Sequence, residues 1–184
     1  MGCTSANFKS RKLPCFSGMG GIKAVGVAEY DSLKRLSVTG AGVTTLATTY
    51  SASTIARLEL KNTTVNYLET ATAGGDNRSV SVAGDLPCVF NVAKGKDLET
   101  VNLMNELLKG EVVLFLEHND GSIKVAGSQL GALVTTGTDQ TGGAISDLNG
   151  FTITFHTEEP DFSRNYVLSS TALVDYATAI KPYV

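Results

Sequence analysis

The chain has no tryptophan, four prolines, two histidines and three cysteines in 184 residues, and charged side chains make up 18% of it. Each scarcity excludes something. Cys3, Cys15 and Cys88 are odd in number and show no Cys-x-x-Cys spacing, so neither a disulfide framework nor a zinc ribbon is expected, and folding in a reducing compartment is the plain expectation. His118 and His156 stand apart from any Cys, Asp or Glu at ligand spacing, which argues against a metal site and leaves both as exposed strand residues. Without tryptophan, and with tyrosines and phenylalanines scattered, no aromatic platform for a sugar is legible. The carboxylates Glu117, Asp120, Glu158, Glu159 and Asp161 therefore read as solvated turn and strand-end charges rather than a glycosidase pair. A formal net charge of −3 excludes a basic grip on nucleic acid, although not a surface past which DNA slides.

Long apolar runs are also missing. No segment approaches the ~18 residues of a membrane-spanning helix. Lys9, Arg11 and Lys12 occupy the place where a signal peptide would be apolar. Met1-Gly2-Cys3 suggests lipidation, but Ala6 stands where myristoylation wants Ser or Thr, and no apolar stretch precedes Cys3. The glycine patches Gly18-Met19-Gly20-Gly21, Gly40-Ala41-Gly42 and Gly142-Gly143 do not lead from a strand into a helix, and no Lys-Ser/Thr follows them, so phosphate loops are rejected. Asn62-Thr63-Thr64 and Asn77-Arg78-Ser79 are chance matches to the glycosylation pattern, and no nucleophile elbow is present. The expectation is a protein that is not an enzyme, with no catalytic residue, no cofactor and no metal ligand.

What is present is β signal. Low charge with 42% hydrophobic residues hints that part of the surface is covered by partners. Residues 1–20 have no periodicity and read as an extended arm, residues 21–169 as a single β domain, and residues 170–184 as a C-terminal tail. In the domain, Ile22–Glu29, Leu36–Val38, Val43–Leu46, Ile55–Leu60, Thr64–Thr72 and Ser79–Ala93 carry strand patterns. Val65, Tyr67 and Glu69 share one face, and a hairpin is expected around Gly74-Gly75-Asp76-Asn77. One helix is expected over residues 97–109, capped by Asp97, striped by Leu98, Val101, Met104 (or Leu103), Leu107 and Leu108, and ended by Gly110. Val112–Leu116 is apolar on both faces and therefore buried on both, and Asn119-Asp120-Gly121 makes a tight turn after it. Leu130–Thr136 and Phe151–Thr157 are further strands, the second with Phe151, Ile153 and Phe155 inward and Thr152, Thr154 and His156 outward. The Gly/Thr-rich segment between them reads as a contact loop. The fold class is mainly β: an antiparallel β-sandwich or half-barrel with one packed helix.

Three stretches carry a family resemblance: GGIKAVGVAEYDSL, LLKGEVVLFLEHNDGSIKVAGSQLGALVTTGT and TGGAISDLNGFTITFHTEE. Over roughly residues 20–159 the chain resembles tail tube (major tail) proteins and related virion structural proteins of bacteriophages of Bacteroidetes-type hosts. The chain departs from them in a longer C-terminus and in Ile123 and Val125 where the family often has an aromatic residue. That resemblance implies a non-enzymatic subunit that closes into rings, hexameric in the family, stacked into a tube in the virion after assembly in the bacterial cytoplasm. Its partners would be copies of itself, other phage structural proteins and DNA passing through the lumen without sequence-specific binding, with no membrane. A neck, short-tail ring or head-decoration protein, or a monomeric or trimeric binding module, is the alternative. Phe8, Leu13, Phe16, Gly137, Thr138, Thr141, Gly142, Gly143, Tyr176 and Tyr183 are the candidate intersubunit contacts.

Overall fold

A computed structural model describes residues 20–31, 37–39, 42–45, 54–60, 65–75, 79–91, 98–144 and 147–166. It is mainly β, as the alternation predicts. Among the described residues eleven strands and one helix follow the chain order β1 (Ile22–Glu29), β2 (Ser37–Thr39), β3 (Gly42–Thr45), β4 (Ala56–Glu59), β5 (Leu68–Ala73), β6 (Val80–Asn91), α1 (Leu98–Leu107), β7 (Val112–His118), β8 (Ile123–Ala126), β9 (Ala132–Gln140), β10 (Gly150–Glu159) and β11 (Arg164–Asn165). Apart from the small β2–β3 ladder, the strands form one nine-stranded antiparallel open sheet. It has two segments: β4-β1-β7-β8-β11 and β9-β10-β6-β5. A single register pair, Val112 with Ala132, joins them.

The join lets one core form between the segments. Val25, Val27, Leu114 and Leu116 from the first meet Leu86, Cys88, Phe151, Ile153 and Phe155 from the second, and Met104 and Leu107 of α1 complete the cluster. Phe155, Leu86, Leu114 and Leu116 are wholly buried. Side chains of this size each contribute about 1.5–3 kcal/mol when removed from water. The expected inward set of β10 is therefore the observed one. β7 is buried from Val112 to Glu117, as its doubly apolar pattern requires. Its second face carries Val113, Phe115 and Glu117 beside Ala24, Ala28 and Val125.

The turns follow their chemistry. Gly121 takes φ 87°, and Asp120 accepts hydrogen bonds from the Ser122 amide (2.8 Å) and hydroxyl (2.6 Å), which hold its carboxyl below the usual carboxylate range. Asn119 ties the turn to the start of β1 by donating from Nδ2 to the Gly20 carbonyl at 2.8 Å. The β5–β6 hairpin closes with Gly74 N–H donating to the Ser79 carbonyl at 2.8 Å.

One expectation needs correction. The loop between the last two long strands is shorter than the Gly/Thr composition suggests, because β9 continues through Gly137 and Thr138 to Gln140 in full register with β10. Threonine is a good strand residue, and Gly137 is a close-approach position, where a Cβ would sit 3.0 Å from Cδ2 of Leu108, the residue that follows α1. Thr141, Gly142 and Gly143 lie in the remaining turn, which Asp147 organises by accepting from the amides of Gly143 (2.9 Å) and Ala144 (2.8 Å). The arm residues Phe8, Leu13 and Phe16 and the tail residues Tyr176 and Tyr183 lie outside the described residues.

Candidate functional site

At one end of the space between the sheet segments, polar side chains replace the apolar core. Glu69, Gly84 and Thr157 are in register there across β5, β6 and β10, and Glu159 follows two residues along β10, opposite Val82. Lys124 enters from β8, on the facing segment. Tyr67, just before β5, fills the gap above Gly84, where a Cβ would meet the Tyr67 oxygen at 2.2 Å and Thr157 Oγ1 at 2.6 Å. Glycine at this position is what admits the phenol.

The hydrogen bonding is dense. The Tyr67 hydroxyl lies 2.9 Å from Thr157 Oγ1 and 3.3 Å from Ser163 Oγ. Glu69 is ion-paired with Lys124 and accepts from the Ser163 amide at 2.8 Å. The Lys124 ammonium also stands 5.3 Å from the centre of the Tyr67 ring, a cation–π distance. Glu159, only 5% exposed, accepts from the Gln129 amide at 2.8 Å and is further held by the amides of Leu130 and Ser128. The far side of that turn is pinned by Tyr30, whose hydroxyl donates to the Gln129 carbonyl at 2.5 Å.

The electrostatics divide these groups by role. Burial pushes the Tyr67 phenol up to about 12, so it remains an O–H donor at neutral pH. Burial also raises Glu159, and the three amides offset this only in part. For Glu69 burial acts in the same direction, but hydrogen bonds from Lys124 and Ser163 outweigh it and hold the carboxyl below its usual range. Two neighbouring carboxylates are thus driven apart, one toward holding a proton and one toward staying ionised. Such a split is a mark of functional sites, although structural networks produce it as well.

Two other polar groupings stand outside this cluster. Arg57 of β4 clasps Glu117 of β7 in a fork, Nε to Oε1 at 2.7 Å and Nη2 to Oε2 at 2.8 Å, and its Nη1 reaches Glu59 at 2.7 Å. On the outer face of the second segment His156 Nδ1 is 2.7 Å from Asp85 Oδ1. The register aligns exposed Leu68, Asp85, His156 and exposed Leu133 in one row across four strands. Among the described residues no group of His, Cys, Asp or Glu could hold a metal ion, and no helix is long and apolar enough to cross a membrane.

The sequence reading of the carboxylates is corrected in two places. Glu117 and Glu159 are buried and partnered, not solvated strand-end charges. Both continue a buried alternation: Glu117 follows Val113 and Phe115 on the second face of β7, and Glu159 follows Phe151, Ile153, Phe155 and Thr157 on the inward face of β10. Tyr67 and Glu69 had a legible signal too, since they share a strand face with buried Val65. Lys124 had none beyond its place between two apolar neighbours.

Comparison with known proteins gives one positive result. The family model described as carboxyltransferase domain, subdomain C and D, matches residues 27–143, which is more than half of the chain. No curated protein and no solved structure matches it. The matched span contains Arg57, Tyr67, Glu69, Asp85, Glu117, Lys124 and Gln129 and stops in the β9–β10 turn, short of His156, Thr157 and Glu159.

This match overturns the functional expectations drawn from the phage resemblance. A virion tail tube or connector, a non-enzymatic role, phage structural partners with DNA in a lumen, and location in the virion are all replaced by membership of an enzyme-domain family. The physical reason is that the resemblance rested on turn glycines, the Asn-Asp-Gly hairpin and strand alternation. Antiparallel β domains of many functions share these, and they carry no chemistry. The chain belongs to the carboxyltransferase domain family, subdomain C and D.

Proposed function

We propose that this chain is a component of a carboxyltransferase and that the cluster of Tyr67, Glu69, Lys124, Thr157, Glu159 and Ser163 is where the transferred carboxyl group is held. The observation that carries the proposal is the family match over residues 27–143, which includes Tyr67, Glu69 and Lys124. The reaction class moves a carboxyl group from an N-carboxylated donor to a nucleophilic acceptor. The donor N–C bond breaks, its electron pair returns to nitrogen, and a new bond forms from the acceptor atom to the carboxyl carbon. The acceptor gives up one proton and the donor nitrogen takes one.

Such chemistry asks for a cation and O–H donors to hold a carboxylate, and for a group able to exchange a proton. Lys124 and the protonated Tyr67 phenol answer the first requirement. Displacement of Glu69 from Lys124 by the incoming carboxylate keeps the charge balance of the pair. Glu159, whose carboxyl is raised by burial, answers the second. The description of the family as subdomains suits a component that acts with further carboxyltransferase segments.

The test uses the full chain with 14C-labelled 1-carboxy-2-imidazolidinone, a soluble cyclic N-carboxyurea. Release of label from this donor should be accelerated over buffer, and Lys124→Met should lose the acceleration while its circular dichroism stays unchanged. Wild type and Lys124→Met releasing label equally would overturn the proposal.

A further inference from the structure

A short strap borders the polar cluster. β10 ends at Glu159 and β11 begins at Arg164, and Pro160-Asp161-Phe162-Ser163 connects them. Pro160, Asp161 and Phe162 are exposed, Phe162 by 56%, so the strap gains little from apolar packing. Its two ends are fixed by backbone pairing. Glu159 stands opposite Val82 of β6, and Arg164 and Asn165 pair with Val125 and Lys124 of β8. The Tyr166 amide extends that second ladder by donating to the Ile123 carbonyl at 2.7 Å. Between the ends, Ser163 ties the strap to the cluster. Its amide donates to Glu69 Oε1 at 2.8 Å, and its hydroxyl lies 3.3 Å from the Tyr67 oxygen. The 3.4 Å contact of Arg164 with Asp161 lies within this stretch and does not join it to the sheet.

The carboxylate that holds Ser163 is also the one that holds Lys124. Glu69 Oε2 takes the ammonium while Oε1 takes the Ser163 amide. The two oxygens belong to one rigid planar group, so Oε2 cannot leave Lys124 without carrying Oε1 with it. Both are charge-assisted hydrogen bonds, which weaken steeply once distance and angle are lost. Lys124 itself is the fixed member of the pair. Its backbone is paired with Leu116 of β7 on one side and Asn165 of β11 on the other, and its ammonium stands against the Tyr67 ring. Competition for the ammonium therefore moves Glu69.

We infer that Glu69 is the latch of this strap: a carboxylate that docks on Lys124 displaces Glu69, frees Ser163, and opens Pro160–Ser163 beside the site while both ends stay paired. This rests on the reading of Lys124 as the cation that holds the carboxyl group, and it adds a coupling between occupancy of that cation and the position of the strap. The incoming group replaces one carboxylate on Lys124 by another, so no buried ammonium is left unpaired. What its entry costs is the hold on Ser163. The opening is local, because the ladders of β6 with β10 and of β8 with β11 do not pass through Glu69.

The experiment is amide hydrogen exchange of the full chain at constant pH, read by mass spectrometry with fragmentation that resolves Ser163. Sodium acetate is the carboxylate probe, and sodium chloride at equal ionic strength is the control. Acetate should speed exchange of the Ser163 amide about tenfold or more, the worth of a hydrogen bond to a charged acceptor. Exchange in the β6–β10 ladder should not change, which also verifies that each variant folds. Glu69→Ala should show the fast exchange without acetate and gain nothing from it, and Lys124→Met should show no response to acetate. Broadening of the carbon NMR signal of acetate, lost in Lys124→Met, reports binding separately. Acetate that binds without speeding Ser163, an equal response in Lys124→Met, or a Ser163 amide still protected in Glu69→Ala would overturn the latch and leave the carboxylate site standing. Failure of acetate to bind the wild type would overturn the carboxylate site itself, and the latch with it.

Discussion

The Arg57–Glu117 fork is the most demanding test of how the first sheet segment is held together. Arg57 and Glu117 side chains are 17% and 9% exposed, and both ends of the guanidinium fork are engaged at 2.7 and 2.8 Å. Arg57→Met removes the fork and leaves a buried carboxylate. Breaking such a pair by deleting one partner costs about 3–5 kcal/mol. Lys23 lies 3.8 Å from Glu117 and offers partial compensation, weakened by its own 45% exposure. The low end, about 3 kcal/mol, is therefore expected. In a chain of this length that corresponds to a fall in Tm of roughly 6–12 °C. Replacing both residues with methionine removes the charges together and fills similar volume, so the double variant should lie within about 1 kcal/mol of wild type. The coupling energy from the cycle should then be at least about 2 kcal/mol. Urea denaturation with a constant m-value is the assay. Additive single effects, or an Arg57→Met cost below about 1 kcal/mol, would refute the reasoning and make the fork a surface ion pair in energetic terms.

Gly84→Ala should destabilise by about 1–3 kcal/mol through overpacking, since its Cβ falls 2.2 Å from the Tyr67 oxygen, and Tyr67→Phe should recover part of that loss in urea titrations. Gly127→Ala should also cost more than about 1 kcal/mol, because φ there is 70° and the new Cβ would stand 2.9 Å from the Ala132 amide nitrogen. The two inner carboxylates should respond to pH in opposite senses. Glu69 is held low in the fold, so its stabilising effect is present above the usual carboxylate pKa and is lost as pH falls through the folded value; the Tm gap between wild type and Glu69→Gln should shrink toward acid. Glu159 is held high, so its contribution is full below the unfolded value and is lost as pH rises through the folded one; wild type should fall relative to Glu159→Gln over that rise. Thermal scans from pH 3 to 7 distinguish the two, and parallel trends would contradict the assignment.

Much of the fold is legible in the sequence because side-chain alternation and turn chemistry are local. The helix expected over 97–109 is observed at Leu98–Leu107, and β10 turns inward the same phenylalanines and isoleucine that its period selects. The error at Gly137–Gln140 has a local cause. Composition there resembles a loop, while the pairing that makes it a strand comes from β10 and the helix contact from Leu108. The polar cluster is half legible. Alternation places Thr157, Glu159 and Glu69 on faces shared with buried apolar residues, although their charge or hydroxyl alone suggests solvent. That Lys124 meets Glu69, fifty-five residues earlier in the chain, depends on the folding of one sheet segment over the other and is written in no local pattern.

The polar cluster is dispersed along the sequence. A nucleophile elbow or a metal motif concentrates its residues in a short segment, whereas this cluster draws Glu69 from β5, Lys124 from β8, Thr157 and Glu159 from β10, and Tyr67 and Ser163 from the segments before β5 and β11. On β10 the polar residues Thr157 and Glu159 come where the apolar run ends and look like an ordinary strand terminus, while Glu69 and Lys124 are second residues of the short strands β5 and β8. Gly84 is the exception: its absence of a side chain has no role in β6 itself and is explained only by the phenol lodged above it. A glycine in the middle of a long strand, facing inward, is therefore the most direct pointer in the sequence to the place where the sheet exchanges apolar packing for a polar cluster.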